Sequence, residues 1–564
     1  MEKRVLLAIG LSILVIVGFK YLNERLGVGR RSARPVEQTS STPPPVASPS
    51  LPAESPREAT PPVVSKPSDT KAGAQTIVIE GPLYRAVLDN RGATLTSWKL
   101  KNYKSAKGEI FEMIAASPAA DSRIYPGSLV LDDPALNTLV NDDFYEVKVE
   151  EGMESGGVYA PPLAIVLHLH RGDLSVEKKY RFEKDNYLTN LAITVTRGEK
   201  PVEARVLLGR DIGPEHEHLI NPAPLAVVSN RAGKTHRDKP PGDDQVHRID
   251  GEIRWVGLDM HYFAVIAIPS RPIYAFEIQK KPVKTTGLDG KELVRDLIPV
   301  RILFQGPSQF QLFLGPKDQE ILESVKGANL AEVIDFGFFS FIVRPLLFSL
   351  KWIYGYVHNY GWAIVILTFL LTLLLFPFRL KQMISMKKMQ AVQPKVKEIQ
   401  DRYKSYKKTD PRRAEMNQEV MKVYKEHNVN PLGGCLPLIL QMPLLFAFYQ
   451  LLAASIELRH APFLGWIQDL SVKDPNYVLP IIMGVTMLIS QKMTPMTPGA
   501  DPMQAKMMLL MPVIFTFMFK ELSSGLNLYF LCSNIFQIGF QKLSEPLIES
   551  KKPAQKPQGV RRRA

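Results

Sequence analysis

The 564-residue chain has only two cysteines, Cys435 and Cys532. Both stand in apolar runs, where a thiol behaves as a small hydrophobe. This excludes a disulfide framework and a cysteine-based zinc site. Common enzyme signatures are missing too: there is no GxxxxGKS/T phosphate loop, no HExxH zinc helix and no GxSxG nucleophile turn. His168 and His170 share a strand face, and His216-Glu-His218 offers two imidazoles, but neither group has a third ligand in view, so both read as structural. No aromatic residue occurs between Tyr21 and Tyr84, and ten prolines fall between residues 30 and 75. Such a stretch cannot bury a core, so residues 23–75 read as an extended, disordered linker. Methionine is scarce in the first half, with four of nineteen before residue 350.

What is present divides by period. Met1-Glu-Lys-Arg precedes an apolar run from Val5 to Phe19, and no small-residue cleavage site follows it. Residues 1–22 therefore read as an uncleaved signal-anchor span. From 76 to 328 the period is two, as in Leu163-Ala-Ile-Val-Leu-His-Leu and Leu191-Ala-Ile-Thr-Val-Thr. Turn signals such as Asp89-Asn-Arg-Gly, Arg171-Gly-Asp and Asp289-Gly290 punctuate it, which predicts a large all-β domain built as a sandwich. Residues 329–350 are aromatic and apolar but broken by Gly337, Arg344 and Pro345, the pattern of an amphipathic helix in the membrane interface. Apolar stretches then recur near 357–378, 434–454, 477–491, 507–520 and 525–543. With the anchor they make six spans, hence a polytopic α-helical membrane protein with an all-β domain between its first two spans.

Charge orients these spans. The net charge is +14, with 70 Lys+Arg against 56 Asp+Glu. The segment 379–430 holds fourteen basic and six acidic residues and belongs in the cytoplasm. Glu457–Pro475 carries Glu457, Asp469 and Asp474 against Arg459 and Lys473 and belongs outside. The tail 546–564, with Lys551, Lys552, Lys556 and Arg561 to Arg563, belongs inside. Both termini are then cytoplasmic and the β-domain lies across the membrane. The position of the basic excess points to ribosome and anionic lipid, not to DNA.

Within 379–430, Met383, Met386, Met389, Val392, Val396 and Ile399 recur every three or four residues. Thr409-Asp-Pro411 breaks the pattern before Val420, Val423 and Tyr424, which predicts a basic helical hairpin. The hairpin reads either as a solvated, lipid-hugging loop or as a docking surface for clients or a ribosome. Methionine is flexible and accepts varied apolar partners. Met383, Met386 and Met389 on the hairpin, and Met493 and Met496 in the proline-rich loop Lys492–Pro502, are therefore candidate docking residues. The spans contain Thr368, Thr372, Gln441, Tyr449, Gln450, Ser490, Gln491, Asn527, Ser533, Asn534 and Gln537. Polar groups at that depth face a bundle interior or a wet cavity, or bond between helices. Two of the spans are short, and short spans thin the bilayer. A wet cavity in thin lipid lowers the barrier to moving a polar segment across without ATP.

Longer ordered motifs follow: Asn428-Val-Asn-Pro-Leu-Gly-Gly-Cys-Leu-Pro-Leu-Ile-Leu-Gln-Met-Pro443, Glu457-Leu-Arg-His-Ala-Pro-Phe463, Leu479-Pro-Ile-Ile-Met-Gly-Val-Thr-Met487, Asp501-Pro-Met503, Met511-Pro-Val-Ile-Phe515 and Ser524-Gly-Leu-Asn-Leu-Tyr529. On these the sequence resembles the YidC/Oxa/Alb insertase family over about residues 330–545. The anchor, linker and β-domain resemble the Gram-negative form of the family, which implies a periplasmic β-supersandwich and a five-helix insertase core over residues 351–545. It further implies a bacterial inner-membrane insertase and chaperone, not an enzyme, with no cofactor and no metal. Its partners would be nascent membrane proteins, the Sec translocon with its accessory subunits, the ribosome and the lipid bilayer. The implied hydrophilic groove opens to cytoplasm and lipid, and clients slide along the second and last spans. On this sequence the groove falls to Thr368, Thr372, Gln441, Asn527, Tyr529, Phe530, Asn534 and Gln537. The family's groove arginine aligns with Thr372, and a tyrosine often found in the last span aligns with Phe530, beside Tyr529. Arg379, two turns below Thr372, is the nearest cation and stands at the groove's cytoplasmic mouth. A groove working by polarity predicts that Arg379→Ala lowers insertion only modestly. The alternative of a transporter or channel calls for inverted repeats or paired intramembrane charges, and neither is found. An enzyme on a membrane stalk would need a convergent acid pair in the β-domain.

Overall fold

The computed structural model describes residues 73–105, 107–114, 125–213, 226–286, 292–406, 410–427, 436–493 and 502–549. The anchor, the linker, Asp289-Gly290, Asn428–Cys435, Met496, His216, His218 and the tail 550–564 lie outside them.

The alternating segments form strands, eighteen of which are hydrogen-bonded into one continuous sheet, with a separate hairpin of Lys281–Thr286 and Glu292–Leu297. Its backbone is the antiparallel succession Glu146–Ser155, Val158–Arg171, Leu174–Phe182 and Leu188–Arg197, which continues through Ser308–Pro316 and Phe263–Pro269 to Val246–Asp259. The Arg171–Leu174 hairpin turns at Gly172, whose φ of 60° lies in the left-handed region that glycine tolerates. In Leu174–Phe182 every second side chain is buried: Leu174, Val176, Lys178, Tyr180 and Phe182. A lysine thus occupies an inward position. Its Nζ donates to Gly92 O at 2.6 Å and Gly127 O at 2.7 Å, and lies 5.3 Å from the Tyr145 ring centre. Burial pushes the Lys178 amine down to about 7. The turn it clasps is fixed by Gly92, where a Cβ would come within 2.5 Å of Asn141 O.

The β-domain ends in a short helix, Gln319–Ser324, capped by Asp318. Residues 330–333 then form a single turn against the domain, held by bonds from Trp255 Nε1 to Ala328 O (2.8 Å) and from Arg237 Nη2 to Val333 O (2.7 Å). The interfacial helix predicted over 329–350 is therefore corrected: α1 spans Ser340–Val357. Gly337, at φ 62°, breaks the earlier start, and its N–H bonds to the Asp335 carboxylate. One face of α1 buries Val343, Leu346, Leu347, Leu350 and Ile353, and Phe341, Phe348, Trp352 and Tyr356 on the other stay exposed. A helix apolar on both faces packs on protein with one and is suited to lipid on the other.

His358 ends α1 in a left-handed turn, and the Asn359 side chain caps α2, Tyr360–Arg402. The span predicted to stop near 378 does not stop there. Pro377 and Pro394 are carried inside one 43-residue helix, about 65 Å long at 1.5 Å per residue against a hydrocarbon layer of about 30 Å. Its first half is the one described helix both long and apolar enough to cross a membrane alone. Its second half is the first arm of the predicted hairpin. There Met389, Val392 and Val396 pack against Tyr424, Val420 and Val423 of α3, Arg412–Glu426. The remaining helices are α4 (Leu436–Ala454), α5 (Val478–Met493), α6 (Pro502–Phe519) and α7 (Ser524–Glu549). The helix α7 packs along both α2 and α5, α5 packs on α6, and α1 lies against α2 and α4. Among the described residues α2 and α4 barely touch.

Candidate functional site

The sparse contact of α4 with α2 and α7 is crossed by a polar cluster centred on one side chain. Arg379 Nη2 donates to Gln441 Oε1 of α4 and Nη1 donates to Gln537 Oε1 of α7, each at 3.1 Å. Gln441 Nε2 reaches Tyr529 Oη at 3.5 Å. The Tyr529 ring is buried and stacks on Phe448 of α4, with centroids 3.9 Å apart. Among the described residues no carboxylate pairs with Arg379: the guanidinium is held by neutral amides and is partly exposed, as are both glutamines. Arg379, read from the sequence as the cation at the groove's mouth, is the hub of a polar cluster joining three helices. A helix places residues 372 and 379, seven apart, on one face two turns from each other. The long arginine stem then lets the charge reach partners on neighbouring helices.

The predicted residues divide around this hub. Gln441, Gln537 and Tyr529 belong to it. Thr368 and Thr372 lie above it on the same face, both buried, but their hydroxyls donate to Ile364 O (2.6 Å) and Thr368 O (2.7 Å) of their own helix. Asn534 is half-buried on α7, and its Nδ2 has no bonding partner among the described residues. Phe530 points to α6 instead, with its ring edge-on to Phe519 at 4.7 Å. Asn527 is a correction. It is fully buried in the first turn of α7, and its Nδ2 donates to Phe519 O, Leu522 O and Ser523 O at 3.1–3.3 Å, so it fastens the α6–α7 turn. Met389 is a second correction, because it is buried in the hairpin seam and offers no docking surface. Met383 and Met386 are half-buried; Met383 Sδ accepts from Ser544 Oγ of α7 at 3.7 Å, and Met386 Sδ from Gln382 Nε2 at 3.9 Å. Met493 ends α5, and its carbonyl accepts from Gln541 Nε2 at 2.9 Å. Phe448 was missed by sequence reasoning, since nothing in an apolar run marks which ring will stack on a tyrosine.

The opposite end of the bundle is closed. Phe463 seats on the start of α2 against Gly361, where a Cβ would fall 2.0 Å from the ring. Ser524 N and Gly525 N bond to Val472 O and Leu470 O at 2.7 and 2.9 Å, tying the loop 455–475 to the start of α7. Asp474 is buried and caps α5, accepting from Leu479 N at 2.7 Å and Trp466 Nε1 at 2.9 Å. The β-domain is bolted to the same end. His261 Nε2 donates to Ala453 O at 2.6 Å and Arg459 Nη2 to Lys104 O at 2.9 Å. Lys351 of α1 joins Glu457 of this loop at 2.7 Å to Asp318 and Glu320 of the β-domain, both at 3.3 Å. Burial alone would lower the Lys351 amine, but the Glu457 and Asp318 carboxylates outweigh it and hold the amine well above its usual range.

A bundle of apolar helices that is closed at the end bearing a β-domain, and carries a polar cluster toward the other, has the architecture of a membrane protein with a large β-domain on one side. Residues 76–349 match the family model for the YidC periplasmic domain, and residues 352–551 match that for the 60Kd inner membrane protein. A protein of Syntrophus aciditrophicus named membrane protein insertase YidC is 36% identical, covering 96% of this chain and 99% of its own. One of the same name from Geotalea daltonii is 36% identical over 96% of this chain and 98% of its own. A solved structure described as an active YidC insertase with its first transmembrane domain resolved covers 83% of this chain and 92% of its own, at 17% identity and a TM-score of 0.35. The chain belongs to the YidC family of membrane protein insertases, which places it in the bacterial inner membrane with its β-domain in the periplasm.

Proposed function

We propose that this insertase works through the cluster centred on Arg379. The observation that carries the reading is a guanidinium bonded to two neutral amides on two different helices, Gln441 and Gln537. A buried arginine paired with a carboxylate would be occupied. One held by amides keeps its charge available, and its fork of donors matches a carboxylate or a backbone carbonyl better than it matches an amide oxygen. A client's hydrophilic segment displaces the amides, shares the hub during transit, and leaves it when the following apolar helix enters lipid beside α2 and α7. The step breaks no covalent bond and consumes no nucleotide. Closure at the periplasmic end by the loop 455–475 supports entry from the cytoplasmic side. On this reading α2 and α4 to α7 are five spans, the apolar run Val5–Phe19 is the sixth, and both termini face the cytoplasm. The basic hairpin, half-buried Met383 and Met386, Met493 and Met496 receive the ribosome or the emerging client, alone or with the Sec translocon.

The test is reconstituted insertion of two clients that differ only in the charge of the translocated tail. Arg379→Ala lowers insertion of the acidic-tailed client about tenfold, the weight of one charge-assisted hydrogen bond, and affects a neutral-tailed client less. Arg379→Lys retains most activity. Equal insertion by wild type and Arg379→Ala, with equal protein in the membrane, would refute the reading and restore the modest effect expected of a groove that works by polarity alone.

A further inference from the structure

On the lipid-facing side of the bundle, away from the Arg379 cluster, α5 and α6 enclose a furrow of about 590 Å³. Its floor is the contact of Gly484 with Thr516, where the helices approach so closely that a Cβ on Gly484 would fall 2.0 Å from Thr516 Oγ1. That hydroxyl is already spent on Pro512 O at 2.8 Å. The walls are Ile481, Val485 and Leu488 on one side and Val513 and Phe517 on the other. Ile481, Val485, Val513 and Phe517 are all exposed, and Phe517 is 71% exposed. The periplasmic end differs. There Lys520 Nζ lies 4.2 Å from the Phe517 ring centre. Lys520 and Lys473 share a single carboxylate, Glu521, at 3.8 and 2.9 Å. Asp474, the nearest other acid on the loop, is buried and spent on capping α5. One positive charge is therefore left over beside an apolar slot.

We propose that this furrow is a binding site for an anionic phospholipid of the periplasmic leaflet, with one acyl chain along the slot and the phosphate at Lys520. The shape and charge together suit the occupant. From Tyr477 to Leu488 the furrow runs about 16 Å at 1.5 Å per residue, open along one side and walled by apolar side chains, so an extended acyl chain lies along it with its headgroup at the Lys520 end. The charge selects the headgroup, because a lysine at the membrane surface favours an anionic lipid over a zwitterionic one. Such a lipid fills the gap between two short apolar helices, where the protein needs the surrounding bilayer to stay matched.

Full-length protein in nanodiscs of mixed phosphatidylglycerol and phosphatidylcholine, released and weighed by native mass spectrometry, tests this. Wild type is expected to retain phosphatidylglycerol about fivefold over phosphatidylcholine, in line with one surface lysine. Lys520→Glu removes the preference while leaving thermal unfolding unchanged, and Val485→Trp, which fills the slot, removes retained lipid of both kinds. Equal retention of the two lipids by wild type, or an undiminished preference in Lys520→Glu, overturns the proposal. A photoreactive residue at position 485 that crosslinks to polypeptide instead of lipid overturns it too.

Discussion

Lys178 and Arg379 are two buried or half-buried cations without a carboxylate partner among the described residues, and the two halves of the molecule treat them differently. In the β-domain Lys178 is enclosed, and its ammonium is satisfied by the carbonyls of Gly92 and Gly127, fixed by turns and strands. In the helical bundle Arg379 is satisfied by the side-chain amides of Gln441 and Gln537, each on a rotatable stem on its own helix. Backbone partners cannot leave without unfolding, whereas side-chain partners can turn away. On the proposed reading of the cluster, the same electrostatic problem is solved once for rigidity and once for exchange.

The largest expected effect comes from breaking the rigid solution. Lys178→Met orphans the Gly92 and Gly127 carbonyls and should destabilise the β-domain by roughly 3 kcal/mol, read as a lower midpoint of its thermal transition in the full-length protein. Arg379→Ala should do the reverse in kind, costing about tenfold in insertion of an acidic-tailed client while leaving that midpoint in place. If Lys178→Met left stability untouched and Arg379→Ala unfolded the bundle, the contrast would be wrong.

Titration sharpens the same contrast. The Lys178 amine sits at about 7 in the folded protein against an ordinary 10.5. The unfolded chain therefore binds more protons across that window, and stability should rise with pH from about 7 toward 10. Wild type should gain stability between pH 7 and 9 relative to Lys178→Met, and parallel curves would show that the amine is not depressed. The smallest effect belongs to the exposed pair Arg402–Glu419 of the hairpin, 3.1 Å apart. Arg402→Ala should cost under about 1 kcal/mol, measured by hydrogen exchange of α3.

Much of this was legible in the sequence because periodicity reports burial. The alternation through Leu174–Phe182 marks a strand, and the Met389, Val392 and Val396 spacing marks the hairpin seam. The same spacing misled where one pattern had two uses: Met389 was counted as a docking residue, but a two-helix hairpin must first bury its own seam. Asn527 looked like a groove residue because it falls in an apolar run, yet a buried asparagine in a helix's first turn is well placed to bond the preceding turn's carbonyls. Lys178 stood in plain view at an inward position and was missed, since nothing local says which carbonyls will meet it. The Arg379 hub was half legible. Its charge and height were given by the helix, but its partners sit 62 and 158 residues away in the chain, and only tertiary packing brings them together.

The most direct measurement places a photocrosslinker at position 534, three residues before Gln537 on α7, and follows a stalled client with an acidic tail. If the amides of Gln441 and Gln537 yield their place at Arg379 to the client, the tail crosslinks strongly at 534 when Arg379 is present, and Arg379→Ala abolishes that crosslink without removing client bound elsewhere on the protein. An undiminished crosslink in Arg379→Ala would contradict the account, because the client would then be held by the groove without its cation.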